Sequence, residues 1–199
     1  LKACDLIDLK EALFKINFPE NRDDIEIAKR RLIFGELLTF SLGMLTLRKN
    51  ERAKTAVKME KDHCDEFFIK LPFSPTDAQK RTAREIAEDM KKDVPMRRLL
   101  QGDVGSGKTA VAACALYGAV KNGWQTAFMA PTEILASQHF SSLKKLLGED
   151  VSIALLTGSL TAKRKKEIYR ALKEGEIDLL IGTHALIEQK VEFKNLGLC

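Results

Sequence analysis

The chain has 199 residues, of which 45% are hydrophobic, so it is long enough for one domain core and a smaller appendage. Its 33 basic and 28 acidic residues give a net charge of +5, which permits a nucleic-acid partner without requiring one. No apolar run approaches the ~18–20 residues of a membrane-spanning helix, so we expect no membrane partner. The cysteines show no paired metal-ligand spacing and suit a reducing cytoplasm; they are Cys4, Cys64, Cys114 and Cys199.

The first 70 residues have a helical pattern. The segment from Asp8 to Ile16 is amphipathic. Asn21 is a candidate N-cap for a long helix from about Asp23 to near Lys58, because apolar residues recur there at three- and four-residue steps. Gly35 and Gly43 argue against an unbroken helix.

Residues 71–199 alternate short apolar strands with helices, after a proline-flanked boundary at Leu71–Pro75. The predicted strands are Arg98–Gln101, Gln125–Ala130, Val151–Leu156 and Asp178–Ile181, with the opening of a further strand at Leu196–Cys199. The predicted helices are Thr76–Lys92, Lys108–Asn122, Thr132–Leu147 and Thr161–Glu174. Such alternation predicts an α/β fold, in which a parallel sheet has helices on both faces.

A glycine-rich loop joins the first predicted strand to the helix that follows it. Its residues fit the pattern GxxxxGK[ST] at every fixed position: Gly102, Asp103, Val104, Gly105, Ser106, Gly107, Lys108 and Thr109. The glycines let backbone N–H groups face phosphate oxygens; Lys108 is predicted to reach the β- and γ-phosphates, and the Thr109 hydroxyl to bind Mg²⁺. A chance glycine-rich turn is the alternative, but the strand–helix context favours a phosphate-binding loop (P-loop).

A P-loop alone could belong to a kinase, a GTPase, a transporter ATPase or a helicase. Upstream of it, Phe73 and the run Thr76-Asp77-Ala78-Gln79 resemble the Q motif of superfamily 2 helicases. The resemblance implies that the Gln79 amide recognises adenine, because an amide donates and accepts hydrogen bonds at once. Gln79 could instead be an ordinary exposed helix residue, and Phe73 a core anchor.

Three short runs look like helicase motif Ia and the motifs after it: APTEILA, LLTGS and IGTHALI. Each lies just after a predicted strand. Their candidate DNA-binding residues are Pro131, Thr132, Thr157, Gly158, Ser159, Gly182, Thr183 and His184. Ligands bind at the carboxyl edge of a parallel sheet, and hydroxyl and backbone N–H groups there can hold a DNA phosphate without recognising its sequence. Singly, each run could be a helix cap. The basic run Lys163–Lys166 predicts a solvated helix face in preference to a DNA-binding patch.

Taken in order, Leu99-Leu100-Gln101 with the P-loop, and then the runs APTEILA, LLTGS and IGTHALI, closely resemble the first motor domain of the RecG family of bacterial DNA helicases. Residues 1–70 resemble the helical linker of that family, so the resemblance covers nearly the whole chain. It implies an ATP- and Mg²⁺-dependent helicase that remodels branched DNA, such as stalled forks and Holliday junctions, in DNA repair and recombination. It also implies a monomeric full-length protein in the bacterial cytoplasm.

Two alternatives stay open. The transcription–repair coupling translocase shares the motor and the Gly-Thr-His element, although Gln101, Ser106 and Thr132-Glu133 favour the RecG family. The chain could also be a nucleotide- and DNA-binding module without catalysis.

The resemblance further implies parts that the 199 residues do not include. A wedge domain is expected before residue 1, an Asp-Glu-x-His motif shortly after Cys199, and a second motor domain with arginine fingers beyond it. We therefore expect residues 1–70 to be a mostly α-helical linker and residues 71–199 the N-terminal part of the first motor domain. Its sheet is expected to be incomplete at the C-terminal end. Because phosphoryl transfer depends on positioned charges, we expect little ATP turnover by this chain alone.

Overall fold

The computed structural model describes residues 5–51 and 56–199, with the backbone alone for residues 47–51. The chain divides into two compact units, Leu1–Lys54 and Thr55–Cys199. The second unit includes a short helix before residue 71, which packs on the helix that follows the P-loop. The assignment of residues 1–70 to a linker stays a prediction. Within the described residues, no helix is both long enough and apolar enough to cross a membrane.

The described part of the first unit is helical, as predicted. Its helices are α1 (Leu9–Asn17) and α2 (Arg22–Glu51). Asp8 caps α1 by accepting a hydrogen bond from the Lys10 N–H at 3.0 Å. Asn21 caps α2 in the same way, accepting from the Asp24 N–H at 2.9 Å. The predicted role of Asn21 as an N-cap is therefore confirmed.

Helix α2 is unbroken across its two glycines and is described as far as Glu51. Its predicted extension to near Lys58 is wrong, because residues 56–63 are not helical. Residues 52–55 lie outside the described part of the chain. The N–H groups of Ala56 and Met59 donate to backbone carbonyls near the end of a later helix, at 2.9 and 3.1 Å. A continued α2 would need those N–H groups for its own hydrogen bonds, so this tertiary contact excludes helix there.

The second unit has the predicted α/β architecture. Its described helices are α3 (Cys64–Lys70), α4 (Asp77–Met90), α5 (Lys108–Lys121), α6 (Glu133–Leu147) and α7 (Ala162–Glu174). Its described strands are β1 (Gln125–Met129), β2 (Ile153–Leu156), β3 (Leu179–Gly182) and β4 (Leu196–Leu198). The strands pair in the order β2-β3-β1-β4, and every pair is parallel. The predicted parallel sheet, including a strand that starts at Leu196, is therefore confirmed.

The predicted strand Arg98–Gln101 does not form, although the structure describes these residues. A strand needs a neighbour with which to exchange backbone hydrogen bonds. Residues 94–96 and the end of β4 line one cavity, so β4 is the strand nearest to this segment. Strand β4 has only three residues and pairs with β1, so it does not pair with Arg98–Gln101. Leu100 packs against the main core, while Leu99 is 87% exposed. Helix α3 was not predicted, because its seven residues are too few to show a helical period.

Helices cover both faces of the sheet. Consecutive strand residues face opposite sides, so Leu179 and Ile181 of β3 pack with α5 and α6, while Leu180 packs with α7. Cys114 of α5 is buried in the first of these clusters. Its hydrogen bond to Cys64 and the burial of that thiol raise the pKa of Cys64, which keeps the group neutral.

A buried amide connects β1 to its surroundings. Gln125 is 3% exposed. Its Nε2 donates to the carbonyls of Leu172 and Ile177 at 2.9 and 2.7 Å. Its Oε1 accepts from the N–H groups of Lys194 and Asn195 at 2.7 and 3.1 Å. Each polar hydrogen and each lone pair of the amide therefore has a partner, as a buried polar group requires.

A buried tyrosine anchors α3 to α5. Tyr117 is fully buried, and its hydroxyl donates to the Glu66 carboxylate and accepts from Lys70 Nζ, the latter at 2.9 Å. The Lys121 ammonium lies 3.7 Å from the same carboxylate. Hydrogen bonds from Tyr117 and from His63 lower the pKa of Glu66 from 4.5 to about 2.

A Glu66→Gln variant is expected to show a flatter acid dependence of stability. Because the pKa of Glu66 is lower in the folded chain, its contribution to stability is complete above about pH 5 and is lost as the pH falls towards 2. The difference in melting temperature between the parent chain and the variant should shrink over that range. Circular-dichroism melts at a series of pH values measure it, with Glu176→Gln at an exposed site as the control. A difference that stays constant with pH would contradict the assignment.

Candidate nucleotide site and nucleic-acid interface

The P-loop has the backbone turns that its glycines predicted. Gly105 and Gly107 have φ values of +83° and +80°, a region in which L side chains are strained. A Cβ at Gly102 would lie 2.8 Å from Ser106 Oγ, and a Cβ at Gly107 would lie 2.3 Å from Gln79 Nε2. A side chain at Gly102 would therefore displace the Ser106 hydroxyl, and one at Gly107 would displace the Gln79 amide.

Helix α5 begins directly after the loop, and Gly107 supplies no side-chain cap. The first N–H groups of a helix have no partner within it and carry the positive end of its dipole, so this helix end can bind phosphate. Helix α5 packs on β1, and residues 122–124 connect it to the start of that strand. The P-loop thus lies towards the carboxyl end of β1, the edge at which parallel sheets bind ligands.

The Lys108 ammonium lies against the P-loop backbone. It donates to the carbonyls of Gly102 and Asp103 at 2.9 and 2.7 Å. The Asp103 carbonyl also accepts from the Ser106 N–H at 3.2 Å. Asp103 therefore contributes to the loop through its backbone, although the sequence predicted no individual role for it. Thr109 lies in the first turn of α5. A cation, helix N–H groups, a hydroxyl and a loop that turns at two glycines of positive φ together fit a triphosphate with Mg²⁺.

Gln79 lies beside the P-loop. Its Oε1 accepts from the Thr76 N–H at 2.9 Å, and Thr76 Oγ1 accepts from the Gln79 N–H at 3.3 Å, which forms a capping box at the start of α4. Its Nε2 donates to the Ser106 carbonyl at 2.9 Å. Gln79 is therefore more than an ordinary exposed helix residue, and its recognition of adenine stays a prediction. Phe73 is 45% exposed, so it is not a core anchor.

Arg98 connects the segment before the P-loop to helix α4, a role that the sequence did not reveal. Its guanidinium donates to Asp89 from Nε and Nη2 at 2.8 and 2.6 Å, and to Glu85 from Nη1 at 3.0 Å. Both carboxylates belong to α4, the helix that begins beside Gln79. No local pattern in the sequence signals these contacts, because they join residues in separate elements.

The three predicted DNA-binding runs meet at the carboxyl edge of the sheet. They follow β1, β2 and β3, and the last residues of β1 and β2, Met129 and Leu156, both pair with Gly182 of β3. Pro131 and Thr132 are exposed, and the Thr132 hydroxyl caps α6. The topology thus brings the runs together, while DNA contact by them stays a prediction.

Glu133 of α6 holds the run after β2. Ser159 donates to its carboxylate from the N–H at 3.2 Å and from the hydroxyl at 2.8 Å. These hydrogen bonds, the hydroxyl first, lower the pKa of Glu133, so the group is ionised at neutral pH. Thr157 is 4% exposed, and its hydroxyl lies 3.1 Å from that of Ser159. Gly158 is exposed at the centre of this loop.

The run after β3 divides between core and surface. Gly182 is buried, and its carbonyl accepts from the Ala130 N–H at 2.8 Å. A Cβ at Gly182 would lie 2.3 Å from the Leu156 carbonyl oxygen, so this glycine has a packing role between β2 and β3. Thr183 is half-buried, and His184 is exposed at the start of a 3₁₀ turn.

Comparison with known proteins decides the family. The model of the DEAD/DEAH box helicase family matches residues 76–199, which is more than half of the chain. The chain belongs to this family. The match starts at the N-cap of α4 and includes the P-loop and the three runs. Membership of the DEAD/DEAH box helicases implies the use of ATP.

Within this family the chain is similar to RecG proteins. It is 51% identical over 201 residues to the ATP-dependent DNA helicase RecG of Bacillus subtilis (strain 168), which covers 99% of this chain and 30% of the relative. It is 52% identical to RecG of Aquifex aeolicus (strain VF5), over 86% of this chain and 22% of the relative. A solved structure of RecG bound to a three-way DNA junction matches with a TM-score of 0.81 and 42% identity, over 100% of this chain and 28% of that one. The chain thus spans less than a third of the relatives it matches.

Proposed function

We propose that the chain is the ATP-binding part of a DNA helicase or translocase that remodels branched DNA in repair and recombination, with ATP and Mg²⁺ as cofactors. One observation carries the proposal: the P-loop and the loops after β1, β2 and β3 lie along one edge of the sheet. A motor needs nucleotide and DNA groups close together. Identity of 42–52% to RecG proteins supports this function over the transcription–repair coupling translocase.

At the nucleotide, the Lys108 ammonium exchanges its two carbonyl acceptors for β- and γ-phosphate oxygens, a stronger charge-assisted contact. The N–H groups at the start of α5 hold further phosphate oxygens. The Thr109 hydroxyl holds Mg²⁺, which when bound neutralises charge on the phosphates. Gln79 keeps a second Nε2 hydrogen beyond the one given to Ser106 and is our candidate for adenine recognition, with exposed Phe73 beside the base.

At the DNA, hydroxyl and N–H groups of the three loops hold backbone phosphates without recognising sequence. Such contacts suit a protein that selects DNA by its branched shape. RecG in the solved complex is bound to a three-way junction, and we extend that substrate class to this chain. We further propose that the complete protein acts as a monomer in the bacterial cytoplasm, without a membrane partner.

The test is a chimera in which this chain replaces the aligned segment of the Bacillus subtilis RecG. We expect the chimera to hydrolyse ATP and to unwind a synthetic three-way junction, and the same chimera with Lys108→Ala to do neither. A folded chimera that binds nucleotide and DNA without hydrolysing ATP would support a binding module instead. ATP-driven movement along duplex DNA without junction unwinding would support the translocase.

A further inference from the structure

The loops after β1 and β2 are not joined by strand pairing. Strand β3 lies between β1 and β2, so these two strands are about 10 Å apart, twice the usual spacing of neighbouring strands. Glu133 spans this gap. It is the first residue of α6, directly after Pro131 and Thr132, and its carboxylate accepts both hydrogen bonds from Ser159 in the loop after β2.

We propose that Glu133 is a positioning residue that holds the two loops at the spacing at which both bind the backbone of one DNA strand. This inference rests on the proposed function, because it assumes that Thr132 and residues 157–159 contact DNA. Phosphates recur at regular intervals along a DNA strand, so two loops held about 10 Å apart can contact two phosphates of the same strand. Both contacts form together only if the loops keep their spacing.

The loop after β2 is also held from its other side. Lys165 Nζ donates to the Gly158 carbonyl at 2.8 Å, while Glu133 accepts from the N–H side of the same turn. The carboxylate approaches so closely that a Cβ at Gly158 would lie 2.9 Å from Glu133 Oε1. Lys165 belongs to the basic run that predicted a solvated face, yet its ammonium contacts this loop. The loop is therefore fixed between an anion from α6 and a cation from α7.

Substitutions at Glu133 separate the positioning role from a simpler one. An acid in the first turn of a helix stabilises the helix dipole wherever its carboxylate lies. Aspartate keeps that charge but is one methylene shorter, so it does not reach Ser159. Glutamine loses the charge but keeps the length and one acceptor oxygen. The dipole role therefore favours the aspartate variant, and the positioning role favours the glutamine variant.

The experiment measures binding of a fluorescein-labelled three-way junction to the 199-residue chain by fluorescence anisotropy. We expect Glu133→Ala and Glu133→Asp to weaken DNA binding roughly 10-fold, the effect of losing hydrogen bonds to a charged group. Glu133→Gln should recover part of the loss, and affinity for a fluorescent ATP analogue should not change. Glu133→Ala combined with Ser159→Ala should weaken binding by less than the two single effects combined, because the two residues share a hydrogen bond. Glu176→Ala, which removes a charge at the amino end of β3, is the control.

The outcomes separate this inference from the proposed function. If the parent chain does not bind the junction, the proposed DNA interface fails and the inference fails with it. If the parent chain binds and Glu133→Ala binds equally well, only the inference fails. Additive effects of Glu133→Ala and Ser159→Ala would also overturn it. An aspartate variant that binds as well as the parent would assign Glu133 to the helix dipole.

Discussion

Replacement of Lys108 by alanine is expected to weaken binding of Mg²⁺–ATP by roughly 10- to 100-fold, the range for loss of hydrogen bonds to a charged group. The ammonium lies against the P-loop carbonyls of Gly102 and Asp103, within the loop that is to hold the phosphates. Residual binding is expected, because the N–H groups at the start of α5 remain. Isothermal titration calorimetry with the 199-residue chain measures the change.

The control for this substitution is Lys145→Ala, which removes an equal charge from the exposed face of α6. It should bind Mg²⁺–ATP like the parent chain. Equal losses in both variants would mean that general charge, and not the position of Lys108, attracts the nucleotide. Unchanged affinity in Lys108→Ala would contradict the role assigned to the P-loop lysine.

A Gly182→Ala variant is expected to be destabilised by about 3 kcal/mol, at the upper end of the usual cost of overpacking. The new Cβ would lie 2.3 Å from the Leu156 carbonyl oxygen and 3.0 Å from the Leu186 side chain. The carbonyl belongs to β2, which pairs with β3, so it cannot move away without disturbing the sheet. A loss of this size lowers the melting temperature by roughly 10 °C, which circular dichroism measures.

Gly118→Ala is the matched control and should have the opposite sign. Gly118 lies within α5, and a Cβ there would meet nothing within 4 Å. Alanine restricts the unfolded chain and favours helix, so a gain of up to about 1 kcal/mol is expected. A Gly182→Ala chain as stable as the parent would show that β2 and β3 can separate at this point.

The parts of the second unit with local signals could be predicted from the sequence. The apolar runs of β1, β2 and β3 and the P-loop spacing need no knowledge of the tertiary structure. Thr132 and Thr161 were predicted at the starts of α6 and α7, and each hydroxyl accepts the N-cap hydrogen bond. Each of these signals lies within a few consecutive residues, so it can be recognised from a single sequence.

The parts that depend on distant partners could not be predicted. The segment Arg98–Gln101 has the composition of a strand, but a strand also needs a paired neighbour. The predicted helix does not continue to Lys58, because the N–H groups of Ala56 and Met59 donate to the carbonyls of Asp93 and Met90. In each case a tertiary contact outweighs the local preference.

The same distinction applies to the candidate site. Motif matching named Gln79, Ser106 and Ser159, but it did not show what they contact. The Gln79–Ser106 hydrogen bond joins residues 27 apart in sequence, and the Glu133–Ser159 bond joins residues 26 apart. Glu133 carried no predicted role beyond the first turn of a helix. Its contact with Ser159 follows only from the order of the strands.

The amide of Gln125 uses all of its hydrogen-bonding positions, and this limits how the chain can change by mutation. A single nucleotide change in a glutamine codon yields glutamate, lysine, arginine, histidine, leucine, proline or a stop. None of these side chains offers two N–H hydrogens and an amide oxygen together, so each leaves at least one of the backbone groups around Gln125 unpaired. Each such group costs about 1–3 kcal/mol when buried. Every one-step genetic path away from this residue therefore passes through a less stable protein.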